Sequence, residues 1–145
     1  GRYPVIDADG QDLLAALNAL GGWDQTGWAS EAALVEDLAA CGRCAWIQPG
    51  AAQVSSEAGQ GRHARARRSW VVVITLGSVD DTPLEITGAP IVEAVRNALT
   101  GLRMTDAKPP RRLHYIADVE PFYAQGYIEL PLEFELPETF TGESP

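Results

Sequence analysis

Two cysteines separated by two residues form the motif with the clearest chemical potential in this chain. Cys41, Gly42, Arg43 and Cys44 have the C-x-x-C spacing of thioredoxin-like redox sites, where a helix N-terminus stabilises the thiolate. Here the motif follows a helix instead of preceding one, because residues 30–40 predict a helix that begins at a serine cap and ends at Cys41. A helix C-terminus disfavours a thiolate, and Gly42 suits the residue that closes a helix. The sequence favours two partly buried structural thiols over a redox site, and it leaves a disulfide open for an oxidised sample.

Metal ligation and catalysis find little support elsewhere in the sequence. Residues 7–12 resemble the start of a calcium-binding loop, but Gly10 falls at the fourth position and Asn18 at the twelfth, where an EF-hand requires glycine sixth and glutamate twelfth. One C-x-x-C supplies only two zinc ligands, and His63 and His114 are far apart in the sequence. No phosphate-binding loop, nucleophile elbow or paired-histidine motif occurs. We therefore predict no enzyme activity, no catalytic residue, no cofactor and no metal site.

The charge of the chain is negative overall and unevenly distributed. The net charge is −9, made up of −6 over residues 1–61, +4 over residues 62–112 and −7 over residues 113–145. Such a chain is a poor general ligand for nucleic acid, yet its unlike segments suit contacts between complementary protein surfaces. No run of about 18 apolar residues and no signal segment occurs, so we expect neither a membrane span nor secretion.

The basic segment lies in a region without apolar periodicity. Residues 49–69 are rich in Gly, Ala, Gln and Ser, which predicts a long loop between two strands. Its second half holds four arginines, Arg62, Arg65, Arg67 and Arg68. Near the following strand, Arg65 and Arg67 should point to one face and Arg68 to the other. We predict a mobile arm that contacts an acidic neighbour; a merely solvated arm and a contact with phosphate remain the alternatives.

Strict alternation of apolar and polar residues marks the last strand, residues 127–136. Its apolar positions are Ile128, Leu130, Leu132, Phe134 and Leu136. This period of two predicts one buried face and one face lined by Glu129, Glu133 and Glu135. Because Pro131 cannot donate to a ladder, the strand is predicted to lie at a sheet edge. We expect the three glutamates to face a neighbouring subunit or an aqueous lumen.

The remaining elements predict a single α+β domain over residues 1–145. Helices are expected from residue 9 or 10 to a stop at residues 21–22, over residues 30–40, and from residues 87–90 to about residue 101. Strands are expected over residues 45–48, 70–76, 113–119 and 127–136, with a turn at residues 80–83 and a flexible tail from 137 to 145. The predicted fold is a mainly antiparallel sheet of about four strands packed against helices.

The order of these elements resembles the tail terminator, or tail completion, proteins of long-tailed bacteriophages, including Mu-like phages. The resemblance is carried by the N-terminal helices, the segment CAWIQPGA at residues 44–51, the strand WVVVI at 70–74, the helix end ALTGL at 98–102 and the closing strand LPLEFE at 130–135. It covers most of the chain and does not include the cysteine pair.

This resemblance implies a structural virion protein without catalytic residues. The family implies a homohexameric ring that caps the tail tube, ends tube polymerisation and presents a surface to the head–neck connector protein. DNA would pass through the lumen without specific binding, and the protein would assemble in the host cytoplasm before residing in the virion. A different neck, connector or tube subunit, and a small redox protein that uses Cys41 and Cys44, remain alternative classes.

Overall fold

The computed structural model describes residues 4–35, 38–77, 82–105 and 110–141. Its elements, in chain order, are helix α1 (Pro4–Leu20), strand β1 (Gln25–Trp28), helix α2 (Ala29–Ala32), a 3₁₀ turn (Leu38–Cys41), strands β2 (Arg43–Ala58) and β3 (His63–Gly77), helix α3 (Leu84–Leu99), and strands β4 (His114–Asp118), β5 (Phe122–Ala124) and β6 (Tyr127–Thr141). The predicted α+β class is confirmed, with six strands in place of about four.

All six strands form one mixed sheet in the order β1-β2-β3-β6-β4, and β5 also pairs with β6. The β1–β2 pair is parallel, and the other pairs are antiparallel. Strands β4 and β5 run one after the other along the same side of β6, from Glu135 to Tyr127. They therefore form one interrupted edge of the sheet.

The core lies between one face of this sheet and helices α1 and α3. Helix α1 contributes Leu13 and Leu17 and helix α3 contributes Val95 and Leu99, all fully buried. The sheet contributes the alternating residues of three strands, namely Ala45, Ile47, Trp70, Val72, Ile74, Leu76, Ile128, Leu132, Phe134 and Leu136. Because these residues lie on one face of each strand, the predicted buried face of β6 is confirmed.

Two glycines inside helices allow close packing against the sheet side of the core. A Cβ at Gly10 would overlap the indole of Trp28, whose ring centroid lies 6.1 Å from that of Trp70. A Cβ at Gly88 would lie 2.5 Å from Cδ1 of Leu130. Glycine within a helix costs about 1 kcal/mol relative to alanine, and here that cost is exchanged for contact with large side chains.

The predicted loop over residues 49–69 is wrong, because most of it forms the distal halves of β2 and β3. The two strands pair from Arg43–Leu76 out to Ala58–His63, and a turn of residues 59–62 connects them. Gly59, Gln60 and Gly61 in this turn all have positive φ. These strands were missed in the sequence because their side chains are small or charged and do not show the apolar alternation by which a strand is recognised.

The predicted flexible tail is wrong in its first part for the same reason. Residues 137–141 continue β6 and pair with β3 as far as His63–Thr141, and residues 142–145 lie outside the described residues. We call the resulting three-stranded extension the arm. It consists of residues 50–58, 63–69 and 136–141.

The predicted edge position of the last strand is also wrong. β6 lies between β3 on one side and β4 and β5 on the other. The carbonyl of Pro131 accepts a hydrogen bond from the N–H of Val119, at the gap between β4 and β5, so its ring nitrogen faces the same gap. A proline is tolerated in this central strand because the neighbouring strand is interrupted beside it.

The helix boundaries differ from prediction in three places. α1 begins at Pro4, five or six residues before the predicted start, and Gly10 lies inside the helix instead of at its N-terminus. In place of the helix predicted over residues 30–40, the described residues form α2 and a 3₁₀ turn, with Trp28 rather than Ser30 at the N-cap position, and residues 36 and 37 lie outside the described residues. α3 begins at Leu84, so Pro90 lies in the helix interior. Of the predicted turn at residues 80–83, residues 80 and 81 lie outside the described residues.

Two ion pairs stabilise the arm, one within it and one that joins its base to helix α1. Arg68 on β3 forms a bidentate pair with Glu138 on β6, at 2.5 and 3.1 Å, and donates to the carbonyl of Gly50. Arg111 forms a second bidentate pair with Asp9 of α1, at 2.7 and 3.1 Å, and donates to the carbonyl of Pro137. Both carboxylates are buried. Removing one partner of such a pair would leave a buried charge, which costs about 3–5 kcal/mol.

The Asp9 pair predicts a specific dependence of stability on pH. Burial raises the pKa of the Asp9 carboxyl above its ordinary value of 3.8, and the hydrogen bonds and charge of Arg111 oppose this rise. The folded state therefore binds a proton at Asp9 more readily than the unfolded state. The free energy of unfolding of the wild type, minus that of Asp9→Asn, should increase as pH falls from the raised pKa towards 3.8, by at most about 1.4 kcal/mol per pH unit. Urea unfolding across this pH range tests it, and a difference that shrinks in acid would show that Arg111 outweighs burial.

The packing of Gly10 predicts that a better helix former destabilises the protein. Gly10→Ala should lower the free energy of unfolding by about 1–3 kcal/mol, because the new methyl group displaces the Trp28 indole. The exposed neighbour Gln11→Ala should change it by less than about 0.5 kcal/mol. Urea denaturation of both variants measures the difference, and a stabilised Gly10→Ala would mean that Trp28 does not pack against α1.

Candidate interaction surfaces

Five of the seven predicted interaction residues lie on one face of the sheet. Arg65 and Arg67 on β3 share this face with Glu129, Glu133 and Glu135 on β6, as the unbroken β3–β6 register requires. The core and both long helices lie on the opposite face. We call this surface the open face. The prediction that the three glutamates share a face is confirmed, and so is the separation of Arg65 and Arg67 from Arg68.

The open face is basic at one end and acidic towards the other. Along β6, Arg65 stands opposite Thr139 and Arg67 opposite Pro137, whereas the glutamates occupy positions 129, 133 and 135. The ten steps along the strand from residue 139 to residue 129 span about 33 Å at about 3.3 Å each. The guanidinium of Arg67 lies 3.9 Å from the Glu135 carboxylate, and 65% of the Arg67 side chain is exposed. This pair is loose, so Arg67 retains most of its capacity to bind another anion.

Partly buried apolar residues lie between these charges. Val71 stands opposite Glu133, and Val73 stands opposite Pro131. All four are half-buried, and beyond them Trp46 is buried and donates through Nε1 to the Thr75 hydroxyl at 3.2 Å. The open face therefore combines a small apolar centre with charges of both signs.

The other two predicted residues lie elsewhere. Arg62 belongs to the turn at the tip of the arm, where its backbone N–H bonds to the carbonyl of Gly59. Arg68 points to the helix side, and only 16% of its side chain is exposed in its pair with Glu138. Arg68 thus stabilises the arm. Its partner was missed in the sequence because residue 138 falls in the segment predicted to be a flexible tail.

The interrupted edge carries an exposed apolar surface that the sequence analysis did not identify. Ile116, Val119, Phe122 and Tyr123 are exposed to 42%, 41%, 57% and 63%. We call these four residues the edge patch. Asp118 and Glu120, both exposed, add negative charge beside it. Grouped apolar side chains this exposed at a sheet edge are typical of contact surfaces, and the signal available in sequence was the apolar group around residue 121.

A polar cluster holds the edge patch in place. Arg96 of α3 forms an ion pair with Asp118 at 2.8 Å, and Tyr115 donates its hydroxyl to the same carboxylate at 2.7 Å. This hydrogen bond raises the pKa of Tyr115. The Arg96 guanidinium also lies 5.4 Å from the centroid of the Tyr115 ring. β4 is thereby fixed to the end of α3.

A second apolar surface lies on the helix side of the arm. Val5, Val54 and Phe140 are exposed to 49%, 56% and 42%, and we call them the arm patch. Val5 and Phe140 border a depression of about 1100 Å³ that arginines also line, among them Arg65 and Arg112. The arm patch is therefore apolar with a basic surround, whereas the edge patch is apolar with an acidic one.

The two cysteines occupy the end of the 3₁₀ turn and the start of β2. Both are reduced thiols; Cys41 is half-buried and Cys44 is fully buried. Burial, together with the proximity of Cys41, raises the pKa of Cys44 to about 11. Gly42 ends the turn with φ of +74°. This environment disfavours a thiolate at Cys44, in contrast to the environment of redox-active C-x-x-C sites.

The protonated state of Cys44 predicts slow alkylation. In a Cys41→Ser variant, iodoacetamide at pH 7 should modify folded Cys44 at least about 30-fold more slowly than the same protein unfolded in urea, where a thiol pKa is about 8.5. Mass spectrometry of quenched samples gives both rates. Fast modification of the folded variant, or reduction of insulin by the wild type, would restore the redox hypothesis.

Comparison with models of protein families gives no match, and comparison with curated protein sequences gives none. Among residues 4–35, 38–77, 82–105 and 110–141, no group of three or more His, Cys, Asp and Glu side chains is placed to hold a metal ion. No helix in these same ranges is long and apolar enough to cross a membrane. The open face, the edge patch and the arm patch are thus the surfaces from which function is inferred.

Proposed function

We propose that this chain is a structural subunit that forms a ring on the end of a phage tail tube. The ring ends tube polymerisation and presents a surface to the head–neck connector protein. The observation that carries this proposal is the presence of two dissimilar, complementary surfaces on one chain, the edge patch and the arm patch. The resemblance to tail terminator proteins supplies the tail as the setting, with six subunits in the ring and the virion as the final location.

The two patches are complementary in charge as well as in their apolar character. The edge patch is flanked by Asp118 and Glu120, and the arm patch lies beside the exposed cation Arg112, which lines the same depression as Val5 and Phe140. An exposed phenylalanine or isoleucine that becomes buried contributes about 1.5–3 kcal/mol. Unlike charges around such a contact determine its orientation and speed its formation.

Dissimilar patches on one chain favour a ring over a simple dimer. When one surface of a subunit binds a different surface of the next, the growing assembly always has one free surface of each kind at its two ends. Such an assembly either closes into a ring or continues as a filament. The edge patch lies along β4 and β5, and the arm patch lies on the extension of β2, β3 and β6. In a closed ring both patches of every subunit are buried.

Mutation of the edge patch tests the ring directly. Ile116→Ser with Phe122→Ser should raise the dissociation constant between subunits at least tenfold, which corresponds to about 1.4 kcal/mol. The matched control, Leu34→Ser with Ile86→Ser, removes two apolar side chains elsewhere that are more exposed (83% and 64%) and should leave assembly unchanged. Native mass spectrometry and sedimentation velocity over a range of protein concentrations give the masses of the assemblies, and from them the dissociation constant.

Three outcomes would contradict the proposal. A wild type that stays monomeric at all concentrations and at isolated tube ends would exclude the ring, and an equal effect of the control variant would exclude the edge patch. Open filaments instead of closed rings would favour a tube subunit.

A further inference from the structure

The open face carries a basic region and an acidic region on the same side of the molecule, an arrangement that the proposed ring contact does not use. The basic end is formed by Arg65 and Arg67, and the acidic region includes Glu129 and Glu133. These regions lie about six residues apart along β6, or about 20 Å. Glu129 and Glu133 are half-buried, and the structure gives neither an ion-pair partner among the described residues.

A surface with this distribution of charge is complementary to itself. A two-fold axis that lies in the plane of the face, perpendicular to the strands and near Ser69, turns a second copy so that its strands run in the opposite direction. The basic end of each copy then faces the acidic region of the other. Stacked sheets lie about 10 Å apart and adjacent strands about 4.8 Å apart, so an arginine reaches a glutamate on the facing sheet.

We propose that two copies of this chain pair through their open faces in an isologous contact. Arg65 and Arg67 of each copy bind Glu129 and Glu133 of the other, and the half-buried Val71, Val73 and Pro131 pack against the apolar stems of these arginines. This contact goes beyond the proposed ring and does not depend on it. It uses the side of the arm opposite the arm patch, so one subunit can take part in both contacts.

The area of the open face sets the strength of this pairing. Residues 129–141 of β6 and their partners on β3 cover about 40 Å by about 12 Å, and Thr75 among them is already buried, so the pair buries at most about 1,000 Å² in total. That area is at the low end for a specific protein–protein interface, which predicts a weak and reversible dimer. Because exposed ion pairs are screened within about 8 Å at physiological ionic strength, the dimer should weaken as salt increases.

Charge reversal on each region tests the pairing. The variants are made in the Ile116→Ser, Phe122→Ser background, so that the ring contact does not obscure a dimer. The basic-end variant is Arg65→Glu with Arg67→Glu, and the acidic-region variant is Glu129→Arg with Glu133→Arg. Each alone presents a face of one sign, and its dimer dissociation constant should rise at least tenfold. An equimolar mixture should recover dimers, each containing one chain of each kind.

A matched variant controls for total charge. Arg62→Glu with Arg103→Glu changes the net charge by the same amount as the basic-end variant does. Both residues lie off the open face and are exposed. It should retain the parent dissociation constant. Sedimentation equilibrium at 50 mM and 500 mM NaCl gives the constants, and circular dichroism establishes that each variant is folded. If a charge-reversed variant unfolds, the salt dependence of the parent protein's dimer decides the question.

The outcomes separate this proposal from the ring. Failure of the mixture to form dimers, equal loss in the Arg62, Arg103 control, or a dimer that strengthens with salt would each overturn the pairing while leaving the ring intact. A ring that fails while the mixture still forms dimers would overturn only the proposed function. Binding of a fluorescent 20-base-pair duplex through Arg65 and Arg67, without self-association, would overturn the pairing and assign these arginines to phosphate.

Discussion

The uninterrupted pairing of β3 with β6 determines the rest of this structure. Every residue from His63 to Gly77 has a partner on β6, with no bulge between the ends. Because side chains alternate across a sheet, this register places Trp70 beside Phe134 in the core and, at the same time, Arg67 and Glu133 on the open face. A shift of one residue would turn the glutamates towards the helices and expose the leucines, so burial and surface charge are fixed by the same constraint.

The neighbouring strands can be irregular because this central pair is regular. β2 shifts register twice along its length, and β4 shifts once. The arm gains its rigidity from Arg68 and Glu138, which join its strands on the helix side, and from Arg111 and Asp9, which tie its base to α1. Buried ion pairs contribute little net stability compared with apolar packing, but only one arrangement of the partners satisfies both charges. We infer that they set the direction of the arm.

The sequence predicted the faces of the strands better than their extent. Apolar alternation in residues 127–136 and the spacing of Arg65, Arg67 and Arg68 correctly assigned these side chains to faces, because a period of two follows from strand geometry alone. The arm was predicted as a loop, since its strands carry Gly, Ala, Ser and Arg and owe their conformation to pairing with β6. The position of Pro131 beside a gap, and the edge patch, depend on where β4 and β5 stop. Such tertiary facts leave no periodic signal in a single sequence.

Self-association is demanding for a chain of net charge −9. Uniformly spread charge would make copies repel, so any contact between them must either gather opposite charges or bury apolar area with few charges near it. The two surfaces of this chain represent these two solutions, the open face gathering charges and the edge patch offering apolar side chains. Added salt screens the overall repulsion, which favours an apolar contact, and it also screens the arginine–glutamate attractions on which the open face relies. Ionic strength therefore weakens the open-face contact more than the edge-patch contact, because the charges that flank the edge patch assist a contact held mainly by apolar burial.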